Sequence, residues 1–419
     1  MKFGQILLNF LWALLYIPLG LPISLLIPWA RRRANFERQN FKDPLFKAQI
    51  AFEVSSEGEL EQVFPLLEYF LKQGEKLELI YSSESVESKA QSLAQNYPKN
   101  LRIFRLPLIT HFFVNSLGGQ SLKSLISAPV LILCRYDFYP QLLSLPKKLG
   151  LVSASAKGKK KACIYKLFDF IVCASPEEKL SFKKFYKGEL FELDFRIQRI
   201  GDRLEKSQEI LAPFFKELPI QRRIIMGSCW PNEMELFSHP KLQADILAKE
   251  IQMVLAPHSL KKESIAEIIS SFKVETNGKI PIYHLDESVD ALKLMAEMNR
   301  SPGVLLVTFK GILCELYTLF GTSFVGGGHG RSIHSVLEPY LAGNRVYCGP
   351  KTYRSTEFDF IMSHSPNYIH VVRSLGEFYD IYNNKPIGSD EMKKREQILT
   401  SSRKKFDQII SLIVGKVNE

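Results

Sequence analysis

The sequence is poor in cysteine, with six in 419 residues, and no two of them form a C-x-x-C pair. Most stand within apolar runs, which is typical of reduced core residues in an intracellular domain. Because closely spaced cysteines are the usual ligands of structural zinc, this pattern argues against a zinc site. The six positions are Cys134, Cys163, Cys173, Cys229, Cys314 and Cys348.

Other metal-binding patterns are missing as well. The sequence has no Asp-x-Asp pair, and its eight histidines show no ligand spacing. It also contains no internal repeat and no long low-complexity segment. We therefore expect a metal-independent protein that needs no cofactor.

Acidic residues are fewer than basic ones, and the formal net charge is +11. Such an excess suits nucleic acid or an anionic membrane surface. No nucleic-acid-binding motif or aromatic stacking motif is present, so we expect no nucleic-acid partner. A basic run at Lys157, Lys159, Lys160 and Lys161 is either a solvated loop or a membrane contact.

The N-terminal segment Phe3–Ala30 is almost free of charge and is long enough to cross a bilayer. Arg31, Arg32 and Arg33 follow directly, and positive charge at this place keeps the following chain in the cytoplasm. The apolar part is too long for a cleaved signal peptide and has no clear cleavage site. We expect residues 1–33 to anchor the protein at the cytoplasmic face of the inner membrane, either spanning it or lying in one leaflet.

Hydrophobic residues make up 46% of the chain and charged residues 24%, which is sufficient for a packed core. From Lys47 onward, strand-like and helix-like patterns alternate, which predicts α/β domains with parallel, doubly wound sheets. A second series begins near Arg222, so we place a hinge near Ile200–Pro219. The expected architecture is GT-B: two Rossmann-like domains facing a cleft. The predicted boundaries are 34–200 for the first domain, 201–390 for the second and 391–419 for a C-terminal helix.

Individual elements follow from the same patterns. Helices are predicted over Leu60–Lys72, Val86–Gln95 and Phe138–Leu149, from Pro176, and over Glu391–Val417. The predicted strands are Ala48–Val54, Leu77–Tyr81, Leu101–Leu106, Val130–Cys134, Phe170–Ala174, Arg223–Gly227, Met253–Ala256, Ile280–His284, Val304–Thr308, Ser323–Gly326 and Arg345–Cys348.

A glycine-rich stretch dominates the second series. A short apolar strand ends at Gly326, and Gly327 and Gly328 follow it. Ser332 resembles the N-cap of a helix, which would place Glu338 on that helix, one turn after His334. Bare backbone N–H groups at a helix start form an anion site, and a carboxylate there suits a ribose diol. The alternative is that the glycines serve only the geometry of the turn.

Four segments, in order, resemble the 3-deoxy-D-manno-octulosonic acid (Kdo) transferases of lipopolysaccharide synthesis. Ser55–Glu59 is similar to the Ala-Ser-Val-Gly-Glu of that family, and Gly227–Glu233 to its Gly-Ser-Thr-Trp-Pro loop. Ala256–His258 resembles its Ala-Pro-His segment. His334–Pro339, with the later Gly349-Pro350, resembles its His-Asn-x-Leu-Glu-Pro and Gly-Pro.

The resemblance implies inverting transfer of Kdo from CMP-Kdo to a sugar hydroxyl of a lipid A precursor. It assigns the catalytic base to Glu59, whose alternative role is a first-turn carboxylate that the helix dipole favours. Gly58 and Asp137 would belong to the acceptor side, and Arg31–Arg33 would meet membrane lipids. The donor-binding residues so implied are Gly227, Ser228, Pro257, His258, Gly327, Gly328, Ser332, Ser335 and Glu338.

Several donor-side residues keep a second interpretation. His258 is either a nucleotide contact or a structural histidine after proline. His329 and Arg331 share the glycine loop and are weaker candidates for donor contact. For Trp230, packing at the inter-domain face is the alternative to a donor contact.

The sequence departs from the family on the acceptor side. Arg135–Pro140 stands where the family has Glu-Thr-Glu-Leu-Trp-Pro, so arginine replaces the first glutamate and Asp137 the second. Ser155 falls near a family arginine, and Ser335 replaces an asparagine. Two rival functions follow: a GT-B transferase with another nucleotide sugar for a different envelope glycan, or a non-catalytic lipid-binding relative.

Overall fold

The computed structural model describes residues 26–38, 47–107, 125–135, 137–156, 162–205, 215, 218–353 and 355–419. The chain divides into two compact units, each with its own parallel sheet. The first unit comprises Met1–Arg199 with Ser401–Glu419, and the second Ile200–Thr400.

The first unit is built on a sheet of seven parallel strands in the order β3-β2-β1-β4-β5-β6-β7. The central strands are buried on both faces, which is why their sequences are mostly apolar, with Glu53 in β1 and Glu78 in β2 as the exceptions. The strands are β1 Ile50–Val54, β2 Leu77–Tyr81, β3 Leu101–Arg105, β4 Val130–Cys134, β5 Lys148–Ala154, β6 Phe170–Cys173 and β7 Glu189–Glu192.

Helices cover both faces of this sheet and complete two apolar clusters, one on each side. They are α1 Pro28–Arg38, α2 Glu57–Lys72, α3 Glu84–Asn96, α4 Pro140–Leu143, α5 Ala162–Tyr165, α6 Pro176–Lys183 and α7 Phe195–Leu204, whose residues from Ile200 onward belong to the second unit.

The second unit contains another sheet of seven parallel strands, in the order β10-β11-β9-β8-β12-β13-β14. The two sheets confirm the predicted doubly wound α/β class. The strands are β8 Arg223–Cys229, β9 Gln252–Pro257, β10 Ile282–Leu285, β11 Val304–Val307, β12 Thr322–Val325, β13 Arg345–Cys348 and β14 Ile369–Val371.

Helices also flank the second sheet, and several connections are short 3₁₀ turns. The α-helices are α8 Pro240–Leu247, α9 Lys262–Glu275, α10 Ala291–Arg300, α11 Leu313–Leu316, α12 Leu337–Leu341, α13 Thr356–His364, α14 Phe378–Ile381 and α15 Ser389–Asn418. The 3₁₀ helices are Ile220–Arg222, Pro231–Ser238, Tyr317–Leu319, Pro366–Tyr368 and Leu375–Glu377.

The predicted helix over Phe138–Leu149 is wrong. Only Pro140–Leu143 is helical there, and Lys148–Ala154 is strand β5. Gly150 lies in this strand, and a Cβ at that position would lie 2.2 Å from the Phe170 ring. The packing therefore requires glycine, a residue that weakens a strand signal. The short edge strands β7 and β14 were not predicted either.

The predicted membrane anchor, residues 1–33, lies mostly outside the described residues, which begin at Leu26. Among the helices that the structure describes, none is both long enough and apolar enough to cross a bilayer. Leu26 and Trp29, at the start of α1, are largely exposed.

The C-terminal helix α15 is continuous, as predicted, and runs slightly beyond Glu391–Val417 at both ends. Its last turns carry Phe406, Ile409 and Ile413 into an apolar cluster of the first unit. Its first turns belong to the second unit. The helix is therefore a structural part of both units.

A buried ion pair fixes the start of α15. Arg395 is 1% exposed, and its Nε donates to Glu391 Oε1 at 2.8 Å. Its Nη1 donates to the carbonyl oxygens of Tyr340 at 2.7 Å and Asn344 at 3.0 Å. Ser365 Oγ donates to the other oxygen of Glu391 at 2.9 Å. Each of these bonds outside the Arg395–Glu391 pair ties α15 to the segment around α12 or to Ser365.

We expect Arg395→Met to destabilise the protein by about 3–5 kcal/mol, because it leaves the Glu391 carboxylate buried without its cation. Urea denaturation measures the change. Arg395→Met/Glu391→Leu should recover part of the loss, since it removes both charges. Lys393→Met, on the exposed side of the same helix, is the control and should change little. Equal effects of Arg395→Met and Lys393→Met would contradict this account.

Candidate functional site

Each sheet has one switch point, where the connections that follow two neighbouring strands run to opposite faces of the sheet. In the first unit this switch point lies between β1 and β4, and in the second between β8 and β12. Ligands of open α/β sheets bind at the carboxyl ends of the strands beside such a point. The segments that follow these four strands are therefore the candidate sites.

Glu59 lies at the switch point of the first unit, in the first turn of α2. Its backbone N–H donates to the N-cap oxygen Ser56 Oγ at 3.3 Å, and its Oε2 accepts the Ser55 N–H at 2.7 Å. Ser56 therefore caps the helix, while the Glu59 carboxyl group binds the backbone at the end of strand β1. Burial raises the pKa of Glu59, and Asp137 adds to the rise, whereas the Ser55 N–H and Arg135 oppose it.

A second acid, Glu53, is buried next to Glu59 and was missed by the sequence analysis. Ser55 Oγ donates to Glu53 Oε1 at 3.0 Å, and Tyr139 OH lies 3.1 Å from Ser55 Oγ. Glu53 Oε2 makes no hydrogen bond within the described part of the chain. Burial, and then the charge of Glu59, raise the pKa of Glu53 well above its ordinary value. A charged residue inside a buried strand was the available signal.

The predicted acceptor-side residues lie around these acids. Asp137 follows β4 and interacts electrostatically with both Glu53 and Glu59. Arg135 has a left-handed backbone, with φ of 59°, and its Nε donates to Gln62 Oε1 at 3.0 Å. Gly58 is exposed, and a side chain there would meet nothing within 4 Å. Its packing therefore does not require glycine.

Gly227 and Ser228 form an irregular end to β8. The register of β8 against β9 shifts between Gly227 and Cys229, and Ser228 has a φ of 53°. A Cβ at Gly227 would lie 1.9 Å from the Tyr317 hydroxyl, so only glycine fits. Bulges and left-handed non-glycine residues are common beside active sites. The predicted donor residues thus sit in strained, specifically packed backbone.

The glycine turn after β12 packs tightly on its neighbours. Gly327 has a φ of 94°, and a Cβ at Gly328 would lie 2.7 Å from the backbone of Gly349. Both positions therefore require glycine. The geometric interpretation of these glycines is supported directly, and it is compatible with a ligand role.

Trp230, His258 and His334 form an aromatic patch at the carboxyl ends of β8, β9 and β12. Trp230 Nε1 donates to His334 Nε2 at 3.1 Å, and their planes differ by only 9°. His258, which follows the buried Pro257, stacks on Trp230 at 4.8 Å and on His334 at 4.1 Å. Burial lowers the pKa of His334 to about 4. Trp230 is 38% exposed, so the patch presents uncharged rings to a ligand at neutral pH.

The predicted helix start at Ser332 is wrong. Helix α12 begins at Leu337, and Ser332 lies exposed in the preceding loop. Glu357 already occupies the helix start, because its Oε2 accepts Ser335 Oγ at 2.9 Å, the Val336 N–H at 3.1 Å and the Leu337 N–H at 3.2 Å. These groups are therefore committed to an internal carboxylate rather than open to phosphate. His334 precedes the helix and does not share a face with Glu338.

Glu338 lies in the first turn of α12 and is partly buried. Its Oε1 is 3.8 Å from Arg203 Nη1. Arg203 bonds more closely to Glu315, with Nε at 2.9 Å from Oε1 and Nη2 at 2.5 Å from Oε2. Glu338 therefore lies near the Arg203 guanidinium, which forms its shorter hydrogen bonds with Glu315.

Glu233 was not predicted as a site residue. It is fully buried, and it accepts the Gly327 N–H at 2.7 Å and the Trp230 N–H at 3.0 Å. It therefore joins the β8 loop to the glycine turn. It lies three residues after Trp230, at the start of a 3₁₀ helix, and accepts the N–H of the residue before that helix. No capping-box signal marked it in the sequence, because tryptophan has no side-chain acceptor and the pattern needs Ser or Thr there.

The three N-terminal arginines do not behave alike. Arg31 and Arg32 are exposed. Arg33 donates to Glu37 Oε1 at 2.6 Å, to the Leu106 carbonyl oxygen at 2.9 Å and to the Ser82 carbonyl oxygen. The guanidinium of Arg33 is therefore held inside the first unit, where it cannot also contact lipid head groups.

Sequence comparisons give no relative: no family model matches the chain, and no curated protein matches it. Solved structures do match. UGT89C1 from Arabidopsis thaliana is 11% identical with a TM-score of 0.53, covering 88% of this chain and 100% of its own. A UDP-glucosyltransferase from Polygonum tinctorium is 10% identical with a TM-score of 0.52, covering 90% and 100%.

A third match is shorter. The C-terminal CMP-Kdo binding domain of WaaA from Acinetobacter baumannii is 17% identical, covers 49% of this chain and 98% of its own, and has a TM-score of 0.33. At that score the match carries no weight. The two longer matches extend over both seven-stranded sheets of this chain, which therefore has the GT-B fold of these glycosyltransferases.

Proposed function

We propose that the protein is an inverting glycosyltransferase that moves Kdo from CMP-Kdo to a lipid A precursor. One observation carries the proposal: the four segments that resemble Kdo transferases all end up beside the carboxyl ends of strands. Ser55–Glu59 follows β1, Gly227–Glu233 continues β8, Ala256–His258 ends β9, and His334–Pro339 follows the turn after β12. Those are the places where ligands of α/β sheets bind.

Glu59 acts as the general base in this proposal. Its carboxylate takes the proton of the acceptor hydroxyl while that oxygen bonds to the anomeric carbon of Kdo. The bond from the anomeric carbon to the phosphate oxygen breaks, and CMP leaves with the electron pair. The Ser55 N–H at 2.7 Å fixes one carboxyl oxygen, and burial keeps the pKa of the group above its ordinary value. A base with a raised pKa accepts a proton more readily.

The nucleotide is assigned to the second unit. Cytosine would stack on the patch of Trp230, His258 and His334, since flat uncharged rings favour base stacking. Ser228 and the backbone of the turn at Gly328 are the proposed phosphate contacts. Glu338 is the proposed ribose contact. The proposed reaction uses no metal or cofactor, and this independence stays a prediction.

The membrane assignment is part of the same proposal. A lipid A precursor is embedded in the inner membrane, so its transferase works at the cytoplasmic surface. Leu26 and Trp29 are exposed apolar side chains at the start of α1, and the exposed Arg31 and Arg32 add positive charge, which suits such a surface. Residues 1–25 are assigned to the anchor from sequence alone.

A different acceptor is the second candidate, and the Arg135 environment favours it. Arginine stands where the resembled family has glutamate, and it is fixed by Gln62 beside Glu59. A cation beside the base suits an acceptor that carries negative charge at another position. A GT-B transferase acting on a different envelope glycan therefore stays a defined alternative.

We expect Glu59→Gln to lower kcat by at least about 100-fold, because glutamine cannot take the acceptor proton. It can still accept the Ser55 N–H, so the fold is retained. The assay supplies CMP-Kdo, generated in place because it is labile, and a tetraacylated lipid A precursor to protein in detergent. Mass spectrometry then measures the added Kdo.

Glu57→Gln is the matched control for this assay, because Glu57 lies exposed in the same helical turn. If Glu59→Gln still forms product, Glu59 is not the general base, although the proposed reaction stands. Bound CMP without product would direct attention to other acceptors. Neither product nor nucleotide binding would favour the non-catalytic relative.

Trp230→Ala should weaken CMP binding roughly 5- to 150-fold, since stacking of one base on an aromatic ring contributes about 1–3 kcal/mol. Isothermal titration calorimetry measures the dissociation constant. Trp29→Ala, which removes an exposed tryptophan from the first unit, should leave it unchanged. Equal affinities of wild type and Trp230→Ala would exclude the aromatic patch as the base site.

Glu53→Gln should be more stable than the wild type at pH 8. The stability difference between the two proteins should be smaller at pH 5. The folded-state pKa of Glu53 lies well above the ordinary carboxyl value, so the folded wild type loses stability as pH rises above about 4.5. Glutamine still accepts the Ser55 hydroxyl and does not titrate. Urea unfolding at both pH values tests this, with Glu57→Gln as control. A difference that does not grow with pH would show that Glu53 is not a buried neutral acid.

A further inference from the structure

The carboxyl group of Glu233 bonds to both the β8 loop and the glycine turn. It accepts one N–H from each, Trp230 at 3.0 Å and Gly327 at 2.7 Å. The contact leaves no spare room, because a Cβ at Gly326 would lie 2.5 Å from Glu233 Oε2. The two loops are therefore held together through one buried side chain.

This arrangement suits a carboxylate and not a carboxylic acid. Each oxygen accepts one backbone N–H, and a protonated oxygen loses acceptor capacity and brings a proton that needs its own acceptor. Unmade hydrogen bonds of buried groups are costly. Protonation of Glu233 therefore weakens at least one of the two bonds between the loops.

We propose that Glu233 is a positioning residue of the donor site, which holds the glycine turn against the Trp230 loop in the nucleotide-binding arrangement. This inference rests on the proposed function. It concerns a residue that touches neither donor nor acceptor and acts through Gly327 and Trp230. The ligand that benefits is a nucleoside monophosphate or its sugar ester.

The electrostatic surroundings make the bonding pH-dependent near neutrality. Burial raises the pKa of Glu233 to about 7, while the N–H groups of Gly327 and Trp230 oppose the rise. Burial raises the pKa of the Cys229 thiol, and the charge of Glu233 adds to the rise, so the thiol stays uncharged.

The two histidines of the aromatic patch both have lowered pKa values. Partial desolvation lowers the pKa of His258, and burial lowers that of His334 to about 4. Helix α9, which packs on the 3₁₀ helix Pro231–Ser238, contributes the apolar Ile268 and Phe272 to the shared cluster. A fluorescence transition near pH 7 that Glu233→Gln removes therefore reports Glu233.

The first test reads Trp230 fluorescence in the full-length chain after Trp12→Phe and Trp29→Phe, since the sequence has three tryptophans. We expect a transition with a midpoint near pH 7. Glu233→Gln should remove it, because glutamine does not titrate. Glu235→Gln should keep it, because Glu235 lies exposed in the same 3₁₀ helix.

The second test measures CMP binding at pH 6 and pH 8 in both proteins. A group with a pKa near 7 is about one-tenth deprotonated at pH 6, so the wild type should weaken about tenfold relative to pH 8. The phosphate of CMP itself titrates near pH 6. Glu233→Gln experiences the same titration of CMP, so the difference between the two proteins isolates Glu233.

The outcomes separate this inference from the proposed function. A wild type that binds no CMP at either pH, but keeps the fluorescence transition, overturns the donor assignment and leaves the link between the loops intact. A transition that persists in Glu233→Gln, or an equal pH dependence of CMP binding in both proteins, overturns the inference. If Glu233→Gln does not fold, a midpoint near pH 4 in the wild type overturns it as well.

Discussion

The arrangement of the second unit depends on close backbone approach at the glycine turn. Gly326 lies so near Ser228 that a Cβ would be 2.3 Å from the Ser228 carbonyl oxygen, and Gly328 meets the backbone of Gly349 in the same way. Because no side chain lies between them, the backbones of the loops after β8 and β12 are in direct contact. The aromatic patch and the buried Glu233 carboxyl follow from that proximity.

Desolvation of acids is common to both switch points. Glu53 and Glu59 at β1, and Glu233 at β8, each have a raised pKa whose largest cause is burial. In each unit a strand end also carries a left-handed non-glycine residue, Arg135 or Ser228. Both units thus combine strained backbone with carboxyl groups that are costly to ionise, a combination typical of functional sites.

Features that depend on neighbouring residues in the sequence could be predicted from it. Mostly apolar runs indicated the central strands, and the position of Glu59 after a strand indicated its place in a helical first turn. Distant partners decided the rest. Ser332 fails as a helix start because Glu357, from a later helix, caps α12 at Leu337. The packing of β5 depends on Gly150 fitting against Phe170, and the role of Glu233 depends on Gly327, 94 residues along the chain.

Helix α15 supplies core residues of the first unit from the end of the chain. Phe406, Ile409 and Ile413 complete an apolar cluster whose other members come from the first half of the chain, including Phe52, Val63 and Phe195. During synthesis, residues 200–400 leave the ribosome before Phe406, Ile409 and Ile413 of α15 have been added to the chain. The second unit can therefore fold while the first still lacks part of its core. The unit that is synthesised first is the last to be completed, and a chain cut short in α15 exposes the core of the N-terminal half.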